Sequence, residues 1–269
     1  MSKTILITGS TDGIGFEAAR KLAGLGHHVL LHGRSRVKLE QARASVSTSC
    51  GHGRVGGYLA DLSRMDDVEA FAKAVIENCP TLDVLVNNAG VFSATNPMTE
   101  DALDVRFVVN AVAPYLLTQR LTPILGVSGR VINVSSAAQM PVDSRALHGQ
   151  VGLTDGEAYA QSKLALTMWS HALGLSVQGQ GPAIVAVNPG SLLASKMVRQ
   201  AFGIAGKDIQ IGADILAQAA LDGVFEEASG QYFDNDVGKF APPHPDALDA
   251  KKCTAIVREL DAILGRLSC

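Results

Sequence analysis

The chain has 269 residues, 47% of them apolar and 18% charged, enough to bury a sizeable core in one large α/β domain. A formal net charge of -3 excludes a basic footprint for nucleic acid. Cys50, Cys79, Cys253 and Cys269 are scattered, with no CxxC and no paired His spacing, so no metal is expected and the thiols read as reduced.

Residues 4–8 predict a first strand, too short for a signal core or a membrane span. No later segment is a long uninterrupted apolar run, and the expectation is a soluble cytoplasmic protein without a membrane anchor. A glycine-rich turn from Thr8 to Gly15 opens a helix over 14–25. A strand at 29–32 runs into Gly33-Arg34-Ser35-Arg36 and a helix over 36–46. A strand at 55–59 precedes Asp61-Leu62 and a helix over 66–78. The strand at 84–87 ends in Asn87-Asn88-Ala89-Gly90, followed by a helical pattern over 100–125. A strand at 131–135 ends at Ser135-Ser136, and the polar stretch 139–156 leads to a helix over 157–177 carrying Tyr159 and Lys163. A strand at 184–188 ends in Asn188-Pro189-Gly190; then come the interrupted segment 191–212, a helix over 211–225, a strand at 231–233 and a helix over 250–267.

Repeated βα order predicts one domain, 1–269, with a doubly wound, Rossmann-type parallel sheet of about seven strands and helices on both faces. Strands rich in Val, Ile and Leu without clean alternation fit a sheet buried on both sides. Segments 139–156 and 191–212 follow the carboxyl ends of strands, where such sheets bind ligands; the second reads as a substrate lid, and a surface insertion is the alternative.

A glycine turn between the first strand and helix suits close approach of backbone to a pyrophosphate at a helix N-terminus. Its spacing is GxxxGxG rather than GxGxxG, and a turn without a ligand stays open. No acid stands between Glu17 and Glu40 to meet a ribose hydroxyl. Arg34 can fork onto a 2′-phosphate, which favours NADP(H) over NAD(H). Against this, Arg34 and Arg36 also fit solvated helix-start charges, and Asp12 would repel a nearby phosphate. Tyr159 and Lys163 stand four residues apart and share a helix face. An ammonium about 4 Å from the phenol is worth up to roughly 4 kcal/mol, enough to lower its pKa by up to about 3 units and fit it for proton transfer near neutral pH. The pair alone also occurs by chance on helices.

With the glycine turn, Asn87-Asn-Ala-Gly90 and Tyr159-x-x-x-Lys163 in order on the expected elements, the chain resembles the short-chain dehydrogenase/reductase family over essentially its whole length. Val131-Ile-Asn-Val-Ser-Ser-Ala, Ala158-Tyr-Ala-Gln-Ser-Lys, Gly26-His-His-Val-Leu and Ser229-Gly-Gln-Tyr-Phe-Asp look like its retinol-dehydrogenase-like branch. The resemblance implies a catalytic set of Asn110, Ser136, Tyr159 and Lys163. Ser136 would donate to the substrate oxygen, Tyr159 would exchange the proton, Lys163 would lower the tyrosine pKa and hold the nicotinamide ribose, and Asn110 would anchor a relay water. Ser136 is chosen over Ser135 by family register. The implied cofactor contacts are Gly9, Ser10, Thr11, Asp12, Gly13, Ile14, Gly15, Arg34, Asp61, Leu62, Asn87, Ala89, Gly90, Tyr159, Lys163, Pro189, Gly190 and Leu192. Asp61 fits either an adenine acceptor or a helix cap. The family threonine after Gly190 is replaced by Ala194, with Ser195 one position later. The helices over 100–125 and 157–177 would pair copies into a homodimer or homotetramer, as in family members.

These readings converge on an NADP(H)-dependent oxidoreductase moving a hydride between nicotinamide and a carbonyl or alcohol. The apolar residues Leu192, Leu193, Met197, Val198 and Phe202 point to a hydrophobic substrate. The alternative is a catalytically silent dinucleotide-binding sensor, since a fold does not fix a function. An epimerase or dehydratase is disfavoured by the lack of a separate substrate domain. The seven histidines show no ligand spacing and read as structural or solvated, and Trp169 reads as packing.

Overall fold

Alternation along the strands decides which layer each side chain joins. The computed structural model describes residues 1–50 and 53–267, so the readings of His52 and Cys269 lie outside the described residues. In β1 (Thr4–Ile7) Leu6 faces one layer, while Ile5 and Ile7 face the other. Leu85 in β4 (Val84–Asn87), Val131 in β5 (Arg130–Val134) and Ile184 in β6 (Ala183–Asn188) join Leu6; Val86, Ile132 and Val185 join Ile5. Both sets are fully buried, as a parallel sheet covered on both faces requires.

With β2 (His28–Gly33), β3 (Val55–Leu59), β7 (Tyr232–Asp234) and β8 (Lys239–Phe240), the order is β3-β2-β1-β4-β5-β6-β7-β8. All neighbours are parallel except β8, which runs antiparallel to β7. The seven expected strands are present, and β8 is the addition. One face carries α1 (Gly13–Gly24), α2 (Arg36–Thr48) and α9 (Gln210–Leu221). The other carries α3 (Met65–Asn78), α5 (Ala113–Leu125), α7 (Asp155–Ser176) and α10 (Ala250–Leu267). Strand order turns back at the β1–β4 pair, which opens a crevice at the carboxyl ends of those strands. Among the described residues no helix is long and apolar enough to cross a membrane.

Two expected helices are revised. The pattern over 100–125 becomes α4 (Val105–Phe107), a π-helical turn over Val108–Val112 and then α5. Asn110 stands at the centre of that π turn, a distortion that recurs at functional sites. The pattern over 211–225 stops at Leu221, where Asp222 turns outward and caps a separate 3₁₀ turn, Gly223–Phe225. The 139–156 stretch holds the short α6 (Ser144–Leu147), and 191–212 holds α8 (Lys196–Phe202). The α5–α7 face is partly covered by the chain itself: α10 buries Ile256, Leu260 and Ile263 along α7, and Tyr115 donates to Asp261 Oδ1 at 2.7 Å.

Candidate active site

After β1 the backbone turns at Gly9, whose φ of +63° and crowding favour glycine. A methyl there would lie 2.8 Å from Ala89 Cα, and one at Gly15 would lie 2.3 Å from Asn88 Nδ2. The turn therefore packs directly on the Asn88–Ala89 loop that follows β4. Asn88 Nδ2 donates to the carbonyls of Thr8 (2.8 Å) and Gly9 (3.1 Å), and Thr8 Oγ1 accepts the N–H groups of Asn88 and Ala89. Asp12 accepts the Gly13 N–H at 2.8 Å and caps α1, which ties its carboxylate to the helix start.

A cleft of about 350 Å³ runs from this turn to Tyr159 and Lys163. Of the expected cofactor contacts, Gly9, Thr11, Asp12, Gly13, Ile14, Arg34, Asp61, Leu62, Ala89, Gly90, Pro189, Tyr159 and Lys163 line it. Ser10, Gly15, Asn87, Gly190 and Leu192 do not, for local reasons. Ser10 is fully buried, donating to Ile7 O and accepting the His32 N–H. Gly15 sits behind the turn against Asn88. Asn87 points beneath the cleft, donating to Asn133 Oδ1 at 2.8 Å and Thr118 Oγ1 at 3.3 Å, so it ties β4 to β5 and α5. Gly190 packs on Leu193 and Ile211, and Leu192 turns outward with a left-handed φ of +56°. Asp61 Oδ1 accepts both the N–H and the hydroxyl of Ser63, so that oxygen shapes the turn into α3 while the residue also lines the cleft.

His32 escaped the sequence reading because nothing local distinguishes a strand histidine from packing. It lines the cleft, buried, with Nδ1 accepting the Gly9 N–H at 3.1 Å. That fixes Nε2 as the donor to Ala60 O at 3.2 Å, and the ring stacks on Phe71 at 4.8 Å. Burial pulls its pKa down to about 4. Beside it, Arg34 is exposed at the cleft edge and, among the described residues, has no carboxylate partner.

At the other end, α7 begins with a complete capping box, Thr154 with Glu157, which sets Tyr159 on its second turn. Buried Arg106 pairs with Asp104 and with Asp155, tying the starts of the two helical segments that carry Asn110 and Tyr159. Ser136 neighbours the Tyr159 hydroxyl and opposes the rise in its pKa, while its own Oγ accepts the Ala138 N–H at 3.1 Å. Ser135 borders the cleft but its hydroxyl turns into α7, Oγ 2.7 Å from Thr167 Oγ1, whereas Ser136 and Asn110 stand outside the cleft's lining. Lys163 is buried; Nζ donates to Val134 O at 2.6 Å and lies 5.7 Å from the Tyr159 ring centre. Asn110 is locked to Val91, accepting its N–H at 2.8 Å and donating to its carbonyl at 2.9 Å, and it also donates to Ser162 Oγ. A methyl on Gly90 would lie 3.5 Å from Asn110 Oδ1 and 3.6 Å from Lys163 Nζ, so these two polar groups flank one small space.

The proton-affinity argument drawn from the sequence needs correction. Burial raises the Tyr159 pKa and the neighbouring Ser136 hydroxyl opposes it, while burial lowers Lys163 to about 8. Desolvation governs both directions because the ammonium faces a backbone carbonyl rather than the phenol. The phenol's hold on its proton is thus strengthened rather than weakened.

Phe92 was also missed; its ring packs 5.0 Å from Tyr159 and 5.5 Å from Phe202 of α8, giving the catalytic end an aromatic wall. Ser195 caps α8 by accepting the Val198 N–H and lines the cleft with Lys196 and Met197.

A crevice at the topological switch point, ending on a half-buried tyrosine with a half-buried serine and a buried lysine beside the phenol, defines an NAD(P)-dependent oxidoreductase of alcohols and carbonyls. Residues 3–203 match the family model for short chain dehydrogenase, and the chain belongs to that family. It is 31% identical to retinol dehydrogenase 13 of Mus musculus, over 98% of this chain and 84% of that protein. It is 33% identical to retinol dehydrogenase 12 of Homo sapiens, over 86% of this chain and 77% of that protein. Among solved structures, a metagenomic short-chain oxidoreductase in complex with NADP superposes with a TM-score of 0.63 at 29% identity, covering 82% of this chain and 91% of that one.

Proposed function

We propose that the chain is an NADP(H)-dependent carbonyl reductase or alcohol dehydrogenase for a hydrophobic, ring-bearing substrate, with Asn110, Ser136, Tyr159 and Lys163 as its catalytic set. The observation that carries this reading is the pairing of Tyr159 with buried Lys163, whose Nζ lies 5.7 Å from the phenol ring centre, in a cleft whose far rim presents Arg34. The residues fit a nicotinamide dinucleotide. Gly9 and Gly13 bring bare backbone to the cleft where α1 begins, and Arg34 offers an unpaired fork at the ribose end. When bound, the cofactor supplies or accepts the hydride.

The chain's own residues do the rest. Ser136 donates to the substrate oxygen, where charge builds. Tyr159 gives that oxygen its proton during reduction, in keeping with a phenol pKa raised by burial. Lys163 and Asn110 border the space beside Gly90 through which the proton is replenished. Phe92 and Phe202 exclude water from the tyrosine and favour flat apolar substrates. The relatives' names speak of retinol, an apolar alcohol, which supports the same class.

Segment 191–212 is the substrate lid in this reading, and the enzyme resides in the cytoplasm, to be checked by cell fractionation. Because α10 covers part of the α5–α7 face, pairing of copies there would require α10 to move; light scattering reports the mass in solution. The function is tested by following NADPH and NADH oxidation against aldehydes, ketones and quinones. NADPH is expected to be preferred, and Arg34→Ala to cut that preference by about 10-fold to 100-fold, the range of a charge-assisted hydrogen bond. A strong NADH preference in the parent enzyme would overturn the NADP assignment.

A further inference from the structure

The loop after β7 reaches back to the neck of segment 191–212. Asp236 accepts the backbone N–H of Ser191 at 2.9 Å, the Ser191 hydroxyl and Asn188 Nδ2 at 2.9 Å, and it lies 3.9 Å from Lys207 Nζ. Ser191 opens the excursion and Lys207 lies on its returning limb. Their strands close on each other, with the Ala194 N–H donating to Lys207 O at 2.7 Å and the Lys207 N–H to Leu192 O at 2.8 Å. The closure is tight: Gly206 has a φ of +80°, and a methyl there would lie 2.7 Å from Ala194 N.

Within this neck, Leu192 holds a φ of +56° although its side chain is 43% exposed. A leucine in that conformation is strained, so it persists only where the surroundings fix it. Asp236 and the Lys207 pairing are what fix it. Above the neck, α8 presents Met197 to the cleft and Phe202 to Phe92, beside Tyr159.

We infer that Asp236 is the pin of the lid: a positioning residue outside the cleft that holds both ends of 191–207 so that the segment moves as one body over the catalytic end. The inference rests on the reading of 191–212 as a lid over a nicotinamide site. Its effect is nonetheless visible without cofactor, because Lys196 and Arg199 offer trypsin sites within the segment.

The experiment is limited trypsinolysis of the whole chain, Asp236→Ala and Asp236→Asn, with peptides assigned by mass and folding checked by circular dichroism. Tm is recorded, and NADPH affinity is measured by fluorescence. Asp236→Ala is expected to speed cleavage at Lys196 and Arg199 by about 10-fold, leave cleavage elsewhere unchanged and weaken NADPH binding several-fold. Asp236→Asn keeps an acceptor for Ser191 and is expected to fall between. If Asp236→Ala does not fold, Lys207→Ala and Ser191→Ala each remove one arm and are expected to raise lid cleavage less. Unchanged lid cleavage in folded Asp236→Ala, or cleavage raised equally throughout the chain, would overturn the pin. Faster lid cleavage together with no NADPH binding by the parent chain would keep the pin and overturn the nicotinamide reading.

Discussion

His32 Nδ1 accepts the N–H of Gly9, so a buried imidazole at the end of β2 holds the first glycine of the turn after β1. Nε2 is committed to Ala60 O, so a protonated ring would aim a second N–H at the Gly9 N–H it now receives. The ring is held neutral down to about pH 4, against an ordinary value of 6.5 in the unfolded chain. Between those values the unfolded state binds the extra proton. Stability from this group is therefore complete above about pH 6.5 and falls as pH drops toward 4. The shift is worth ~3 kcal/mol in total. Urea unfolding at pH 7 and pH 4.5 is expected to show that loss in the parent chain and a much smaller one in His32→Gln. Equal losses would count against the strut.

The two later glycines of the turn should respond differently to alanine. Gly15→Ala places a methyl onto Asn88 Nδ2 and Gly9 O, disturbing the amide that bridges the Thr8 and Gly9 carbonyls. Gly13→Ala meets open space and bears only the cost of φ +63°, about 1–2 kcal/mol. Thermal melts are expected to rank Gly15→Ala well below Gly13→Ala. The reverse order would show that the turn is not seated on Asn88.

Ser135 and Ser136 separate stability from chemistry. Ser135 bonds Thr167 inside α7, so Ser135→Ala is expected to cost about 1–3 kcal/mol with kcat nearly intact. Ser136 neighbours the Tyr159 hydroxyl, so Ser136→Ala is expected to lower kcat by about 10²–10³ with little change in Tm. Paired melts and steady-state kinetics on the two variants check the assignment.

Much of this was legible because it depends on period and order. Ile5, Leu6 and Ile7 read as a strand buried on both faces, and the glycine turn, Arg34, Tyr159 and Lys163, singled out from the sequence, line one cleft. What escaped depends on contacts across the chain. The π turn at Asn110 arises where its amide locks onto Val91, nineteen residues earlier. Asn87 and Asn88 are adjacent, and only strand phase separates the one beneath the sheet's end from the one holding the glycine turn. Phe92 and Asp236 stand in irregular segments, where no periodicity announces a partner at Tyr159 or Ser191. The expected lowering of the Tyr159 pKa by Lys163 failed for a related reason. Helical spacing gives proximity, while burial and the Val134 carbonyl determine where the charge resides.

The central claim is that Tyr159 handles the proton for hydride transfer in this cleft. Its most direct test is Tyr159→Phe, assayed for NADPH oxidation with the best carbonyl substrate of the parent enzyme and for NADPH binding in the same preparation. The expected result is a loss of kcat of about 10²–10⁴, with NADPH affinity within a few-fold of the parent. Turnover by Tyr159→Phe equal to the parent's would contradict it.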